Sequence, residues 1–287
     1  PEMIEAIPNL YAGRHSAAGA EIARAIMTTD RYPKLKRLEV GSGSLLGVAK
    51  GAGMIEPKMA TMLSVILTDL RLPKERLSLL LRKAVDQSFN RISVDGEQST
   101  SDVVLLLASD VAGEATESEF LDALSEVTGT LSREVVRNGE GTSHVIRCEV
   151  RGTRQRSTAL HLARRVVNSP LVKSAVYGND PNVGRILMAL GDGLSDPSEE
   201  ENLSSLSIDI CDTRVFERGH FELTPEKEAR LAETLADCAM EPTLRGYPEH
   251  HREVGILIDF GSGAPGECVY GSDLSYEYVR ENADYRS

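Results

Sequence analysis

Residues 50–68 read Lys-Gly-Ala-Gly-Met-Ile-Glu-Pro-Lys-Met-Ala-Thr-Met-Leu-Ser-Val-Ile-Leu-Thr, and the chain changes character within this stretch. The first part, 50–57, is polar and contains two glycines, which adopt backbone angles that other residues avoid, so it predicts a loop. From Ala60 the residues turn apolar and β-branched, which predicts a strand buried on both faces. Thr61 stands near the start of that strand, where a hydroxyl would be held rigidly enough to act as a nucleophile.

Helical and extended patterns alternate on both sides of this stretch, which predicts an α/β or α+β fold with some antiparallel pairing. Thr116 followed by Glu119 forms a capping box at the start of one helix. The acidic, Pro- and Ser-rich residues 196–201 predict a boundary between two lobes, 1–194 and 203–287. Helices are predicted over 16–27, 156–168, 170–177 and 179–190, and three more begin at Pro73, after Thr116 and after Thr224. Besides the strand that contains Thr61, strands are predicted over 38–40, 45–48, 103–108, 143–150, 206–211 and 254–260.

Composition indicates an ordinary soluble protein. The 287 residues are 41% hydrophobic and 26% charged, with no apolar run long enough to cross a membrane and no signal-peptide pattern at the start. A formal net charge of −12 argues against nucleic acid as a partner. The 4 cysteines are widely spaced and form no CxxC pair, which argues against a zinc site or a disulfide framework and favours a reducing cytoplasm.

The chemistry available to Thr61 depends on whether the bond before it is cut. A threonine hydroxyl is a weak nucleophile and needs a base. If the Ala60–Thr61 bond were cleaved, the new α-amino group, with a pKa of about 8, could take the hydroxyl proton itself. The alternative is that Thr61 is an ordinary strand threonine, which the residue pattern by itself favours because threonine is common in strands.

Several segments, in order along the chain, resemble the signature of the ornithine acetyltransferase family, also called bifunctional glutamate N-acetyltransferase/amino-acid acetyltransferase. Members of that family cut their own backbone at an Ala-Thr bond, and the freed threonine becomes the nucleophile. The resemblance therefore implies a cut between Ala60 and Thr61. The matching segments are Met27-Thr28-Thr29-Asp30, Lys50-Gly51-Ala52-Gly53-Met54, Met59-Ala60-Thr61-Met62-Leu63, Ser93-Val94-Asp95-Gly96, Gly139-Glu140-Gly141, Val167-Asn168-Ser169-Pro170, Asn179-Asp180-Pro181-Asn182 and Tyr278-Val279-Arg280 with Asn282 and Ser287.

The resemblance implies a layered αββα sandwich in which the lobe 203–287 closes the substrate site of the catalytic lobe 1–194. It also implies ping-pong acetyl transfer from N-acetylornithine to glutamate in arginine biosynthesis, through an acetyl-threonine and without metal or organic cofactor. Ornithine is the first product, acetyl-CoA is a further donor in bifunctional members, and the two cleavage products assemble into oligomers. The substrate-binding residues implied are Thr28, Lys50, Thr61, Glu140, Asn282 and Ser287.

The implied roles make physical sense, but the chain also departs from the family pattern. Lys50 would supply a positive charge for a carboxylate, and Glu140 a negative charge for an ammonium. Family members form their oxyanion hole with a Thr-Gly pair upstream of the matched region, and Val183 and Arg31 replace a family tryptophan and threonine. Two alternatives therefore stay open: a threonine-dependent amidohydrolase, and a truncated, catalytically impaired remnant that binds amino acids.

Overall fold

The computed structural model describes residues 18–56, 62–97, 103–194 and 203–284. The helices in these ranges are α1 (Ala18–Ala25), α2 (Lys74–Asp86), α3 (Glu117–Arg137), α4 (Arg156–Asn168), α5 (Pro170–Tyr177), α6 (Val183–Gly193), α7 (Pro225–Asp237) and α8 (Tyr276–Asp284). The strands are β1 (Lys34–Val40), β2 (Gly43–Lys50), β3 (Leu63–Thr68), β4 (Ile92–Ser93), β5 (Val103–Ala108), β6 (Val145–Arg151), β7 (Ser207–Ile210), β8 (Thr213–Glu217), β9 (His220–Phe221), β10 (Val254–Asp259) and β11 (Glu267–Ser272).

The first sheet has the strand order β1-β2-β3-β5. β1, β2 and β3 form an antiparallel meander, and β5 runs parallel to β3. The long helix α3 packs against β1 and β2 through a fully buried apolar stripe. A side chain at Gly47 would overlap Val127 of α3, so the missing side chain lets helix and strand approach closely. The stripe on α3 is Phe120, Leu124, Val127, Leu131 and Val135.

The opposite face of this sheet remains partly open, which corrects the prediction that the strand after Thr61 is buried on both sides. In β3 one side is buried and the other, which includes Val65, is only half-buried. On the neighbouring β5, Leu105 and Leu107 expose 44% and 54% of their surface. The physical reason is that α1 makes its main contacts with β1 and β2, so it leaves β3 and β5 accessible on that side.

The second sheet has the order β4-β11-β6-β10-β7-β8-β9. β10 is parallel to β6 and β4 is parallel to β11, whereas the other pairs are antiparallel. Helix α4 packs over β6 and β11, and the buried side of β6 carries Ile146, Cys148 and Val150. Two mixed sheets flanked by helices confirm the predicted α/β sandwich class.

The predicted division into lobes 1–194 and 203–287 stays a prediction. Most of the loop on which it depends lies outside the described residues, and strands from both sides of it share the second sheet. In the part of the chain that the structure describes, no helix is long and apolar enough to cross a membrane.

Candidate functional site

Lys50 lies at the end of β2, and its Cα pairs across the antiparallel ladder with Leu63. Leu63 follows Thr61 by two residues, so Lys50 stands beside the strand end to which the candidate cleavage site leads. Ala60 and Thr61 themselves lie outside the described residues. The Lys50 side chain is half-buried and has no hydrogen bond or ion pair with any described residue.

The loop after Lys50 is fixed by Asp95. The Asp95 carboxylate accepts hydrogen bonds from the backbone N–H groups of Met54 (2.6 Å) and Ile55 (2.9 Å). Met54 adopts a φ of 57°, an unusual value for a residue with a side chain, and these two bonds hold it there. The next residue, Glu56, accepts bonds at 3.0 and 2.9 Å from the amide of Asn168. Burial raises the pKa of Glu56, against the opposing effect of the Asn168 hydrogen bond.

Glu140 joins three distant segments. Its Oε1 accepts a hydrogen bond from the Thr29 hydroxyl at 2.9 Å, and its Oε2 accepts one from the Asn282 amide at 3.0 Å. Its backbone N–H donates to the Ala52 carbonyl at 2.8 Å. A side chain at Gly53 would overlap the Glu140 carboxylate, so only glycine leaves room for it. The structure thus brings the predicted residues Glu140 and Asn282 together, beside the loop that follows Lys50.

Helix α8, which carries Asn282, is tied to the turn after Glu140. The Ser275 hydroxyl donates to the Gly141 carbonyl at 2.6 Å and accepts from the Tyr278 backbone N–H at 3.0 Å. Gly141 has a φ of 62°, and a side chain there would overlap the Tyr278 backbone. Burial and, as a smaller effect, the charge of Asp95 raise the pKa of Tyr278 to about 12. The predicted residue Ser287 lies outside the described residues.

Asp30 organises the segment that contains Thr28. One carboxylate oxygen accepts from the Gly51 backbone N–H (2.9 Å) and from the Lys34 ammonium, and the other accepts from the Thr28 backbone N–H (3.0 Å). Asp30 and Lys34 are both buried. Burial alone would raise the pKa of Asp30, but the Lys34 charge and the Gly51 hydrogen bond outweigh it and lower the pKa. Thr28 is exposed, and its neighbour Thr29 makes the contact with Glu140.

A buried Ser-His-Asp cluster lies behind the turn after Glu140. His144 Nδ1 lies 2.9 Å from both the Asp273 carboxylate and the Ser143 hydroxyl, which also donates to Asp273. The three residues are at most 4% exposed, so no substrate reaches them. The Ser143 backbone N–H also bonds to Asp273, at 3.0 Å, so the cluster joins the start of β6 to the loop before α8. These contacts connect the two segments directly.

The comparison with known families shows to which family the chain belongs. The model of the ArgJ family matches residues 1–287. The chain belongs to the ArgJ family. This places the Lys50, Glu140 and Asn282 cluster in a family whose signature segments the sequence resembles from residue 27 to residue 287.

Curated relatives in the ArgJ family agree with this assignment. The chain is 41% identical over 265 residues to glutamate N-acetyltransferase Oat2 from Streptomyces clavuligerus, which covers 92% of this chain and 63% of that protein. It is 39% identical to the arginine biosynthesis bifunctional protein ArgJ from Geobacter sulfurreducens, over 98% of this chain and 70% of that one. The chain therefore spans less than two thirds of the length of the Streptomyces protein.

A solved ArgJ structure shares the fold. The crystal structure of the arginine biosynthesis bifunctional protein argJ from Bacillus halodurans superposes with a TM-score of 0.64 at 27% sequence identity. The match covers 77% of the present 287 residues, about 221, and 98% of the matched chain, which is therefore about 225 residues long.

Four of the site residues predicted from the sequence lie in the described part of the chain: Thr28, Lys50, Glu140 and Asn282. The segments around Thr29, Asp30 and Asp95 match the family signature without a predicted role, and His144 and Asp273 were not predicted. The glycines of residues 50–57 indicate a loop whose buried N–H groups need acceptors, but nothing local points to Asp95, which lies 40 residues after Ile55. Nothing in the sequence places Asp273 against His144, because the two are 129 residues apart.

Proposed function

We propose that this chain transfers an acetyl group from N-acetylornithine to glutamate through an acetyl ester on Thr61, after cleavage of the Ala60–Thr61 bond. The observation that carries the proposal is the convergence of Lys50, Glu140 and Asn282 on one loop, at the strand end to which Thr61 leads. Chance convergence of three separate signature segments is improbable, because they are up to 232 positions apart in the chain.

The charges of this cluster suit the two substrates. N-acetylornithine carries a carboxylate and a side-chain ammonium, and Lys50 and Glu140 offer one charge of each sign. Glu140 is already oriented by Thr29 and Asn282, so an ammonium would meet a carboxylate that does not need to reorganise. Lys50 has no hydrogen bond or ion pair with a described residue that a substrate would have to break. The Thr28 hydroxyl and the side-chain oxygen of Asn282 are neutral groups that add hydrogen bonds and fix the orientation of the substrate; the Asn282 amide N–H groups already donate to Glu140 and Tyr278.

The reaction divides into two acyl-transfer steps. The Thr61 α-amino group takes the hydroxyl proton as Thr61 Oγ attacks the acetyl carbon. The amide C–N bond then breaks, the proton passes to the leaving amine, and ornithine departs. In the second half the amine of glutamate attacks the ester, the C–O bond to Thr61 breaks, and the hydroxyl regains a proton. The resemblance assigns stabilisation of the oxyanion to a Thr-Gly pair upstream of the matched region. Stabilisation of the oxyanion by that pair is part of what we propose for the whole enzyme.

From the resemblance to the family, we also propose that the active protein is an assembly of the two cleavage products.

Mass spectrometry of the purified protein tests the proposal. We expect two species in place of one of 31.2 kDa, with Thr61 as the first residue of the larger one. N-acetylornithine should add one acetyl group to Thr61, and glutamate should remove it as N-acetylglutamate. Thr61→Ala should abolish cleavage and labelling, whereas the control Thr234→Ala on α7 should change neither. Release of acetate without glutamate would point to an amidohydrolase instead.

A further inference from the structure

Away from the candidate acetyltransfer site, a cavity of about 300 Å³ opens between α2, α3 and β11. Its lining includes Arg91, Arg133, Arg156 and Glu267, and we call this the arginine cleft. Its volume is at the lower end of the range for small-molecule sites in proteins. Arg91 precedes β4 and Asp95 follows it, so the cleft and the candidate acetyltransfer site lie at opposite ends of this strand.

The arginine cleft carries an unbalanced positive charge. Glu267 is 4% exposed, and its two carboxylate oxygens are each engaged in an ion pair, one with Arg91 and one with Arg156. Arg133 has no ion pair with any residue that the structure describes, and its guanidinium lies 5.9 Å from the ring centroid of Tyr270. Among the lining residues alone, three guanidiniums and one carboxylate give two net positive charges, in a protein whose net charge is −12.

These positive charges are costly because the cleft is partly buried. Burial lowers the pKa of Arg91, and the nearby charges of Arg156 and Arg164 lower it further. Guanidiniums that repel one another in a partly desolvated cleft would be stabilised by an anion between them. The planar fork of N–H donors on arginine matches the oxygens of a phosphate group, often with two parallel hydrogen bonds.

We propose that the arginine cleft binds a small molecule that carries phosphate. A phosphate monoester has close to two negative charges at neutral pH, which balances the two net positive charges of the cleft. The strong negative charge of the whole protein repels a long polyanion such as nucleic acid, so a compact ligand fits better. We expect Arg133 to contribute most to binding, because its charge has no ion pair with a described residue. This site is independent of the proposed acetyl transfer.

Isothermal titration calorimetry of the intact protein with inorganic pyrophosphate tests the proposal. We expect saturable binding at one site per chain, with a Kd of about 1 mM or lower and an affinity that falls as NaCl is raised. Arg133→Gln removes one charge without breaking an ion pair and should weaken binding about tenfold or more. Arg230→Gln on α7 is the matched control: it removes the same charge from an exposed position and should leave Kd unchanged.

A second variant guards against loss of fold. The Arg156 side chain is 70% exposed and Glu267 keeps its ion pair with Arg91, so Arg156→Gln should keep the circular dichroism spectrum of the parent while also weakening binding. The absence of saturable binding to the parent protein would overturn the proposal. Equal affinities of Arg133→Gln and Arg230→Gln would also overturn it, as would citrate binding as tightly as pyrophosphate, since that would indicate a carboxylate site.

Discussion

Replacement of Glu140 by glutamine should remove a charge while leaving the local structure in place. A glutamine can still accept the Asn282 hydrogen bond with its oxygen, and its amide can donate to the Thr29 hydroxyl, which then acts as acceptor. The backbone bond from residue 140 to the Ala52 carbonyl is unaffected. The variant therefore isolates the interaction between the carboxylate and the substrate ammonium.

The size of the effect follows from the bond that is lost. A hydrogen bond to a charged group contributes about 1.5–3 kcal/mol, so kcat/KM for N-acetylornithine should fall about ten- to a hundredfold. N-acetylnorvaline has the same carbon chain without the side-chain ammonium, and it provides the internal reference. The parent enzyme should prefer N-acetylornithine over N-acetylnorvaline, and Glu140→Gln should lose most of that preference.

Steady-state kinetics with both substrates provide the assay, and Glu233→Gln on the exposed side of α7 is the control. If Glu140→Gln lowers kcat/KM equally for both substrates, Glu140 does not bind the ammonium and this reasoning is refuted. If the preference is unchanged and both rates are normal, Glu140 has no part in substrate binding at all.

Three further substitutions probe the supports of the site. Asp30→Asn leaves Lys34 buried without its counter-charge and should lower the free energy of unfolding by about 3–5 kcal/mol in urea at neutral pH. The pKa of Asp30 is lowered from 3.8 in the folded state, so the difference in stability between the parent and Asp30→Asn should shrink as the pH falls below 3.8. The buried Lys173 of α5 donates to the carbonyl of Val94, the residue before Asp95, and burial lowers its pKa to about 8. The unfolded chain therefore binds this proton more tightly, and the free energy of unfolding should rise between pH 8 and about 10.5 by on the order of a few kcal/mol relative to Lys173→Met, as urea unfolding at a series of pH values would reveal. Gly141→Ala must move α8 because the new side chain overlaps its backbone, so kinetics should show a raised KM for N-acetylornithine as Asn282 is displaced.

Local signals predicted the elements whose ends are set by neighbouring residues. The capping box of Thr116 and Glu119 opens α3 as predicted, because two backbone groups at the helix start are satisfied within four residues. Helix α7 begins at Pro225 with the Thr224 hydroxyl accepting from the Lys227 N–H, again from adjacent residues. Short strands such as β8 and β9 were not predicted, since their pairing partner lies across a turn and their own sequence is not distinctly apolar.

The candidate site was predictable only where the family signature marks it. Lys50, Glu140 and Asn282 came from the resemblance, and their convergence depends on long-range contacts that composition cannot reveal. The interactions that orient them, such as the Asp30–Lys34 pair and the Asp95 bonds to the loop, come from residues whose pattern resembles an ordinary polar surface. Burial distinguishes them, and burial of a charged residue is decided by tertiary packing rather than by local sequence.

The central claim is that Thr61 becomes an N-terminal nucleophile that carries the acetyl group. The most direct measurement is peptide mapping by mass spectrometry of the purified protein, quenched after brief exposure to N-acetylornithine. The account predicts a peptide that begins at Thr61 and gains one acetyl group on its hydroxyl, which disappears when glutamate is added. An uncut Ala60–Thr61 bond, or acetyl transfer to glutamate with Thr61 never modified, would contradict it.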